Sequence, residues 1–461
     1  MTSTSFDPKN LEAFISSCRA KYETMLATAV EIPTVSMDPD HRADIDRGAD
    51  FACEILKDAG ASAEKIATRG NPVIVGSFSS DPSRPTVNIY NHMDVQPADE
   101  ADGWTSPPFV FKKEGDKYLG RGSTDDKGPA LAALFAAKYA HEVGIPVNIR
   151  FVWEMEEEIG STNFDEFLGK HASRMKANSI LVSDTIWIAR GKPAIPYGLR
   201  GLQGALLRLE TGTKDVHSGT TGGVARNPVG ELAEVIGKIY DARTGKVKIP
   251  GFYKDVRKLS KVELDSFTKS GYDIRRFQRA HELKKTRKLT NKEAVQRIWS
   301  MPTFEVHGIA GGYQGPGLKT IVPGRAEAKV SMRLVPDMKP KKMLGLLSSF
   351  VRRINPDVKV ISEHAADPFL GEFTGPYAEA ASEAMKFGFR ATPAFIREGG
   401  TIGAVLSMQK AWKCPVVLMG LSLPEHGYHA INENFDWGQA AGGIKAFVKY
   451  FDSISRIHGK G

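Results

Sequence analysis

Between Pro85 and Asp184 the sequence alternates short apolar runs with one strongly helical stretch, and most of the runs end in a residue able to bind a metal ion. "PTVNIYNHMDV" (85–95) has the β-branched, nearly continuous apolar character of a strand buried on both faces. "GPALAALFAAKYAHEVG" (128–144) is a helix, with Pro129 near its first turn, where a missing N–H costs nothing. "VNIRFVWE" (147–154) and "ANSILVSD" (177–184) are again strands. Strand, helix, strand at this spacing predicts an α/β fold: a mixed, largely parallel sheet with helices on both faces.

The remainder divides around that unit. "LEAFISSCRAKYETMLATA" (11–29) is an amphipathic helix. After "YGLRG" (197–201) the texture changes. "GALLRLETG" reads as a half-exposed strand, 227–240 as a helix, 240–300 as polar and basic, 320–337 as strands, and "KPKKMLGLLSSFVRRI" as an amphipathic helix. Such a set suits a small α+β domain inserted into the first. With 461 residues the chain exceeds one ordinary core. The expected division is a catalytic domain at 1–200 and 371–461, and an inserted lid or dimerisation domain at 201–370.

Charge and cysteine usage exclude several classes. The net charge is +8, but the cations are dispersed, and the densest basic stretch, Arg275–Ala294, is interleaved with Glu and Gln. Without a reader motif this predicts no nucleic-acid partner. The excess suits an anionic small substrate instead. Cys18, Cys53 and Cys414 are far apart and form no CxxC, which argues against a disulfide framework or a thiolate zinc site and for a reducing cytoplasm. The N-terminal residues carry no signal-peptide pattern, and no apolar run approaches the roughly 20 residues of a membrane span. The expectation is a soluble, cytoplasmic protein without a membrane partner.

The ligand-type residues fall where an open α/β sheet binds ligands, beyond the carboxyl ends of its strands. His92 and Asp94 end the first strand. Asp125 and Asp126 precede the helix, in "GRGSTDDKGP". The glutamates of "EMEEEIGS" (154–161) follow the next strand, Asp184 ends another, and His429 lies after "PVVLMG". Each alone has a plain reading: a turn residue, a helix N-cap for "DDKGP", a solvated charge run for the glutamates. Together, histidine and carboxylate without thiolate suit zinc, manganese or cobalt. Two such ions lying close together need a carboxylate between them. Asp94, two residues after His92, faces the same side of an extended segment and is placed to hold the far ring nitrogen of His92.

Several longer motifs carry a family resemblance. "NHMDVQP", "GWTSPPF", "GRGSTDDKGP", "EEIGS", "LVSDTIWIARGKPAIPYGLRG", "DVHSGTTGG", "GPGLKTIVPGRAEAKVSMRLVP", "REGGTIGAV" and "HAINE" resemble the M20 metallopeptidase family, most of all its cytosolic dipeptidase and carnosinase branch. The resemblance runs from about residue 20 to the end. It implies a catalytic domain with two divalent metal ions (Zn, Mn or Co) per subunit and an inserted lid that usually also forms the homodimer. His92 and Asp184 would bind the first metal and Asp125 would bridge, with a cis peptide between Asp125 and Asp126. Glu158 and His429 would bind the second. Counting back from Gly160-Ser161 makes Glu157 the general base, with Asp94 supporting the catalytic centre. The implied reaction is attack of a metal-bridged hydroxide on the amide bond of a dipeptide, or of a similar small substrate with a free carboxylate. His217, in "DVHSG", would stabilise the oxyanion from the partner subunit. Arg333, in "SMRLVP", would grip the substrate carboxylate through a planar, bidentate donor. Thr320, Thr401 and Gly400 match substrate-contacting positions, and "EGG" allows close backbone approach.

Two departures stand out. Met155-Glu156 replaces the Gly-Met common in family dipeptidases, and the added carboxylate is expected to raise the pKa of the base or to change metal preference. The further lid histidine of dipeptidases has no clear match; His364 is the nearest candidate. The alternative reading is an N-acyl amino acid deacylase or another amidohydrolase acting on a non-peptide C–N bond. A scaffold without turnover would have lost Glu157 or a ligand, and the set is complete.

Overall fold

The structure is a computed structural model that describes residues 5–79 and 81–458. Its central sheet has six strands in the order Ser62–Ile66, Val73–Phe78, Asn148–Glu154, Thr86–His92, Ser179–Val182, Val416–Leu418. The last four run parallel, and the first two form an antiparallel edge. The largely parallel α/β sheet is therefore present as predicted.

The two-residue period of a strand divides its side chains between two apolar layers. Val87, Ile89, Ile149, Phe151, Trp153 and Leu181 pack into one core with the helices Pro8–Glu31, Arg42–Asp58, Lys127–Glu142, Pro376–Phe389 and Trp437–His458. Tyr90, Val152, Ile180 and Val182 face the other way, onto Phe164, Phe167 and Leu168 of one helix and Val405, Met408 and Trp412 of another. Burial on both faces is why these strands read as almost unbroken apolar runs.

A second, antiparallel sheet has the order Thr303–Gly311, Arg325–Leu334, Gly201–Glu210, Lys359–Ala366. The central strand 201–210, read from sequence as half-exposed, turns Ala205, Leu207 and Leu209 into a core with Leu232, Val235 and Ile239 of the helix Pro228–Ile239 and Met343, Leu347 and Val351 of the helix Pro340–Ile354. Asn227 starts the first of these helices by accepting the N–H groups of Val229 and Gly230, ahead of a first-turn proline.

Where the chain passes between the two sheets, Ala194–Leu199 pairs with Phe369–Leu370 on one side and with Ala394–Glu398 on the other. The segment 240–300 contains three short helices, Lys261–Lys269, Ile274–Ala280 and Asn291–Ser300. Phe267, Val295 and Trp299 from the first and last of them pack against Ala194, Tyr197 and Ile396 of this small sheet. The basic side chains of 240–300 lie on these helices and on the segments that precede and connect them. Cys18, Cys53 and Cys414 are free. Among the described residues no helix is long and apolar enough to cross a membrane.

Candidate metal centre

His92 is the last residue of its strand and lies in register with Glu154, the last of the neighbouring strand. Beyond these ends the acidic residues converge. His92 Nε2 is 3.0 Å from Asp125 Oδ1 and 3.9 Å from Asp184 Oδ2. His429 Nε2 is 2.9 Å from Asp125 Oδ2 and 3.2 Å from Glu158 Oε2. Two ligand trios result, His92–Asp125–Asp184 and Asp125–Glu158–His429, each with its donor atoms within 4.8 Å of one another. Asp125 belongs to both and turns one oxygen to each. The peptide between Asp125 and Asp126 is cis.

The trios suit divalent cations. Donor atoms about 2.0–2.2 Å from a tetrahedral zinc stand about 3.3–3.6 Å from each other, close to the separations found here. The Nδ1 of His92 lies 2.9 Å from the backbone carbonyl of Asp94, an acceptor that fixes the tautomer and frees Nε2 for a cation. Burial works against a charged His429, but its contacts with Asp125 and Glu158 outweigh that and push it up to about 11. A cation would take the place of that proton.

Asp94 acts differently from expectation. Its carbonyl, not its carboxylate, is the close partner of His92; the nearer carboxylate oxygen is 3.5 Å from Nδ1. The carboxylate instead accepts the backbone N–H groups of Glu157 and Glu158, at 3.2 and 3.1 Å. It therefore sets the orientation of the short turn Glu157–Ile159.

The glutamate run separates into distinct surroundings. Glu154 is buried and accepts the Tyr90 hydroxyl at 2.7 Å. Burial pushes Glu154 up to about 8. Glu156 accepts the backbone N–H groups of Asn71 (2.7 Å) and Asn163 (3.0 Å) and the Asn163 amide, which ties two loops together behind the centre. The Glu156 carboxylate is thus engaged by Asn71 and Asn163, and the charges acting most strongly on Glu157 are those of His92, Asp184, Glu158 and Asp94. Burial, followed by the three carboxylates, holds Glu157 well above the usual range, although His92 opposes this. Glu158 is also raised, by burial and Asp125, and accepts the Gln96 amide at 2.7 Å.

Asp126 occupies the N-cap position of the helix that follows, as the plain reading of "DDKGP" has it, but its side chain makes no capping bond. Its carboxylate accepts from Asn91 at 2.7 Å. Two residues that sequence reasoning missed support the ligands. Glu433, fully buried, accepts the N–H groups of Gly122, Thr124 and Asp125 at 3.0–3.1 Å and pairs with Arg121 at 2.8 Å. It joins the His429 loop to the Asp125 turn; its only sequence signal is its place in "HAINE". Tyr428 donates its hydroxyl to Asp184 Oδ1 at 3.1 Å.

Arg333, Thr401 and Gly400 are brought together. Arg333 Nη1 donates to Thr401 Oγ1 at 3.0 Å, that hydroxyl donates to the Arg200 carbonyl at 2.6 Å, and Arg200 N–H donates to the Gly400 carbonyl at 3.0 Å. Glu398, the last residue of the strand that leads into this loop, accepts the Ile186 N–H at 3.3 Å. Burial, then the nearby Asp184 charge, pushes Glu398 up to about 8. His217 and Thr320 sit elsewhere. His217 accepts the Gly219 N–H through Nδ1 at 2.9 Å, capping a short helix, and the Thr320 carbonyl accepts the Ser218 N–H at 3.0 Å. Among the described residues neither is bonded to a member of the two trios. His364 is exposed on the strand Lys359–Ala366 and is not bonded to them either.

The profile of peptidase family M20/M25/M40 matches residues 89–453. A human relative, Beta-Ala-His dipeptidase, is 32% identical over 93% of this chain and 89% of its own length. The Cys-Gly metallodipeptidase of Candida albicans is 31% identical, covering 97% of this chain and 98% of the relative. The solved structure of the dipeptidase Dug1p from Saccharomyces cerevisiae superposes with a TM-score of 0.88 at 30% identity, covering 97% of this chain and 98% of that one.

Proposed function

The chain belongs to peptidase family M20/M25/M40, and we propose that it is a metal-dependent dipeptidase acting on small peptides with a free C-terminal carboxylate. One observation carries this reading: two His–carboxylate trios share Asp125, and Glu157 is the acid next to them in a turn held by Asp94. We assign two divalent ions, Zn, Mn or Co, to the trios, with His92 and Asp184 on one, Glu158 and His429 on the other, and Asp125 between. When bound, such ions supply Lewis acidity for the scissile carbonyl and an acidified water.

The protein groups do the rest. Glu157 takes a proton from the attacking water and delivers it to the departing amine, a task suited to a carboxylate whose pKa is raised by burial. Asp94 keeps that carboxylate and Glu158 in register. Arg333, steadied by Thr401, binds the substrate carboxylate as a planar two-point donor. Gly400 leaves the backbone open to the ligand, and Thr320 contributes from the inserted domain, which we place at 201–370 between the catalytic parts 1–200 and 371–461.

We assign His217 to the oxyanion of a partner subunit's site, in a homodimer formed by the inserted domain. Exposure supports this: among the described residues His217 is not bonded to its own trios, Val224 follows it in the chain, Leu318 precedes the strand Ile321–Val322 that pairs with Val216–His217, and these two apolar side chains are 90% and 91% exposed. An apolar surface of that kind suits a subunit contact. We also propose a cytoplasmic location, in keeping with three free cysteines. Deacylation of N-acyl amino acids would use Arg333 equally, but dipeptidase relatives favour the peptide bond.

The test is turnover of a dipeptide panel and of matched N-acyl amino acids by protein loaded with Zn, Mn or Co. Cleavage of dipeptides, abolished in Glu157→Gln, is the expected result. Exclusive cleavage of N-acyl compounds overturns the substrate reading, and near wild-type turnover by Glu157→Gln overturns the base. A second-order concentration dependence of activity on dilution, matched to dimer dissociation by sedimentation, tests His217.

A further inference from the structure

The segment 240–300 folds around a cavity of about 1460 Å³ that none of the trio residues lines. Eight Lys and Arg side chains line it, against two carboxylates, Glu293 and Glu305. Glu293 is engaged at the start of its own helix, where it accepts the Thr290 N–H and hydroxyl at 2.8 Å. Among the described residues Arg243, Lys246, Lys258, Lys285, Arg287 and Arg297 of the lining form no ion pair, whereas Arg257 beside them pairs with Asp337 at 2.7 Å.

Two stretches of chain bring these cations together. The turn after Tyr240–Asp241 carries Arg243 and leads to Lys246, and the connection between the helices Ile274–Ala280 and Asn291–Ser300 carries Lys285 and Arg287. Arg287 Nη2 donates to the Ala242 carbonyl at 3.3 Å and Arg297 Nη1 to the Thr244 carbonyl at 2.7 Å, so two guanidinium groups hold the turn. Gly245 suits that contact: its φ is +74°, and a Cβ there would meet the Arg287 guanidinium at 3.4 Å. Cations gathered without carboxylates repel one another, and a multivalent anion among them offsets that.

The rest of the lining is largely apolar or aromatic and includes Val256, Leu259, Tyr272, Ile274 and Phe277. The rings of Tyr272 and Phe277 lie 5.7 Å apart. Two lining groups hold buried donors that have no hydrogen-bond partner among the described residues, the Tyr272 hydroxyl and Arg200 Nε. Arg200 is only 9% exposed, and its Nη2 is taken by the carbonyls of Arg297 and Met301. A buried donor without an acceptor is costly, and a ligand that brings acceptor oxygens removes the cost. The volume exceeds the roughly 300–1,000 Å³ of ordinary small-molecule sites, which leaves room for a ligand with both a charged and a ring-bearing part.

We propose that this cavity binds an organic polyphosphate of the nucleotide class, with its phosphates among Arg243, Lys285 and Arg287 and its ring system against Tyr272 and Phe277. Arg200 links the cavity to the peptidase site. Its carbonyl accepts the Thr401 hydroxyl that steadies Arg333, and its guanidinium is repelled by that of Arg333. An anion at the Arg200 end lowers the positive potential at Arg333 and weakens its hold on a substrate carboxylate. This link rests on the dipeptidase reading; the binding site does not.

Isothermal titration of the metal-loaded protein with ADP, AMP and inorganic diphosphate, with metal content recorded before and after, tests the site. ADP should bind once per subunit, and AMP and diphosphate roughly 10-fold more weakly, since each lacks part of the ligand. Arg243→Glu combined with Lys285→Glu should weaken ADP about 10- to 100-fold. The same charge change at Lys341→Glu with Lys359→Glu, on exposed residues outside the cavity, should leave ADP binding unchanged. Arg243→Gln with Lys285→Gln should give an intermediate loss and guards against a misfolded reversal. In dipeptide assays ADP should raise KM with little change in kcat, and the Arg243→Glu, Lys285→Glu protein should lose that response. Equal weakening by the two charge reversals, heat accounted for by loss of metal, or no ADP binding up to about 1 mM overturns the site. Diphosphate binding as tightly as ADP overturns the nucleotide class. ADP binding without a change in KM overturns the link to Arg333, and failure to cleave any dipeptide with ADP binding intact overturns the dipeptidase reading alone.

Discussion

The Asp94 carboxylate accepts the backbone N–H of Glu157 at 3.2 Å while its second oxygen accepts that of Glu158 at 3.1 Å, so one side chain orients both the base and a ligand. The carbonyl of the same residue holds His92. Asp94 thus joins the strand that carries one trio to the turn that serves the other. Asp94→Asn keeps the shape and one acceptor but sets an NH2 against one of the two N–H donors. It should lower kcat about 10- to 100-fold, as loss of a group that orients metal ligands typically does, with a much smaller change in KM. Steady-state kinetics beside metal content measures this; an unchanged kcat would show that the turn holds itself.

Glu157→Gln removes the proton carrier without removing a ligand. A fall in kcat of about 10²- to 10⁴-fold is expected. Because burial and three carboxylates disfavour the charge on Glu157, the neutral amide should leave the thermal midpoint of chelator-treated protein level or raised. A variant that unfolds early would point to a structural part for Glu157.

Glu433 is fully buried behind the ligands. Glu433→Ala would strand the N–H groups of Gly122, Thr124 and Asp125 and leave the Arg121 guanidinium buried without its partner. The expected loss is about 3–5 kcal/mol in denaturant unfolding. A loss under 1 kcal/mol would mean that water or Trp104, over which Arg121 is stacked, replaces it.

These supporting groups mark the boundary of what could be read in the amino-acid order. His92, Asp125, Glu158, Asp184 and His429 were legible because each follows an apolar strand or opens a helix, and the parallel sheet brings such ends to one edge. Whether the carbonyl or the carboxylate of Asp94 meets His92 depends on loop torsions that residue order does not express. Glu156 and Glu157 are chemically identical neighbours, and only the turn at 157–159 sends one to Asn71 and Asn163 and the other to the cluster. Glu433, Glu398 and Tyr428 escaped for a related reason: a buried loop acid or phenol looks like a solvated one until the fold closes over it. The helices of 240–300 were hidden by their charge, since few of their positions face a core.

The contact between that segment and the small sheet gives a prediction in pH. Glu263 accepts from Tyr197 at 2.9 Å, from the Ser260 N–H at 2.9 Å, and from Arg397. Burial pushes Glu263 up, but these bonds outweigh it and bring it from 4.5 down to about 2. A carboxylate whose folded value is depressed contributes stability that is fully present above its unfolded value and is lost as pH falls toward the folded one. The wild-type unfolding midpoint should therefore decline between about pH 5 and pH 2 more steeply than that of Glu263→Gln, so that the gap between the two proteins closes as acid is added. Thermal unfolding of both across that window, with the tryptophan fluorescence of Trp299 as a local probe of the helix packed beside Phe267, reads the effect. Parallel curves for the two proteins would show that Arg397 finds another partner when Glu263 is neutralised.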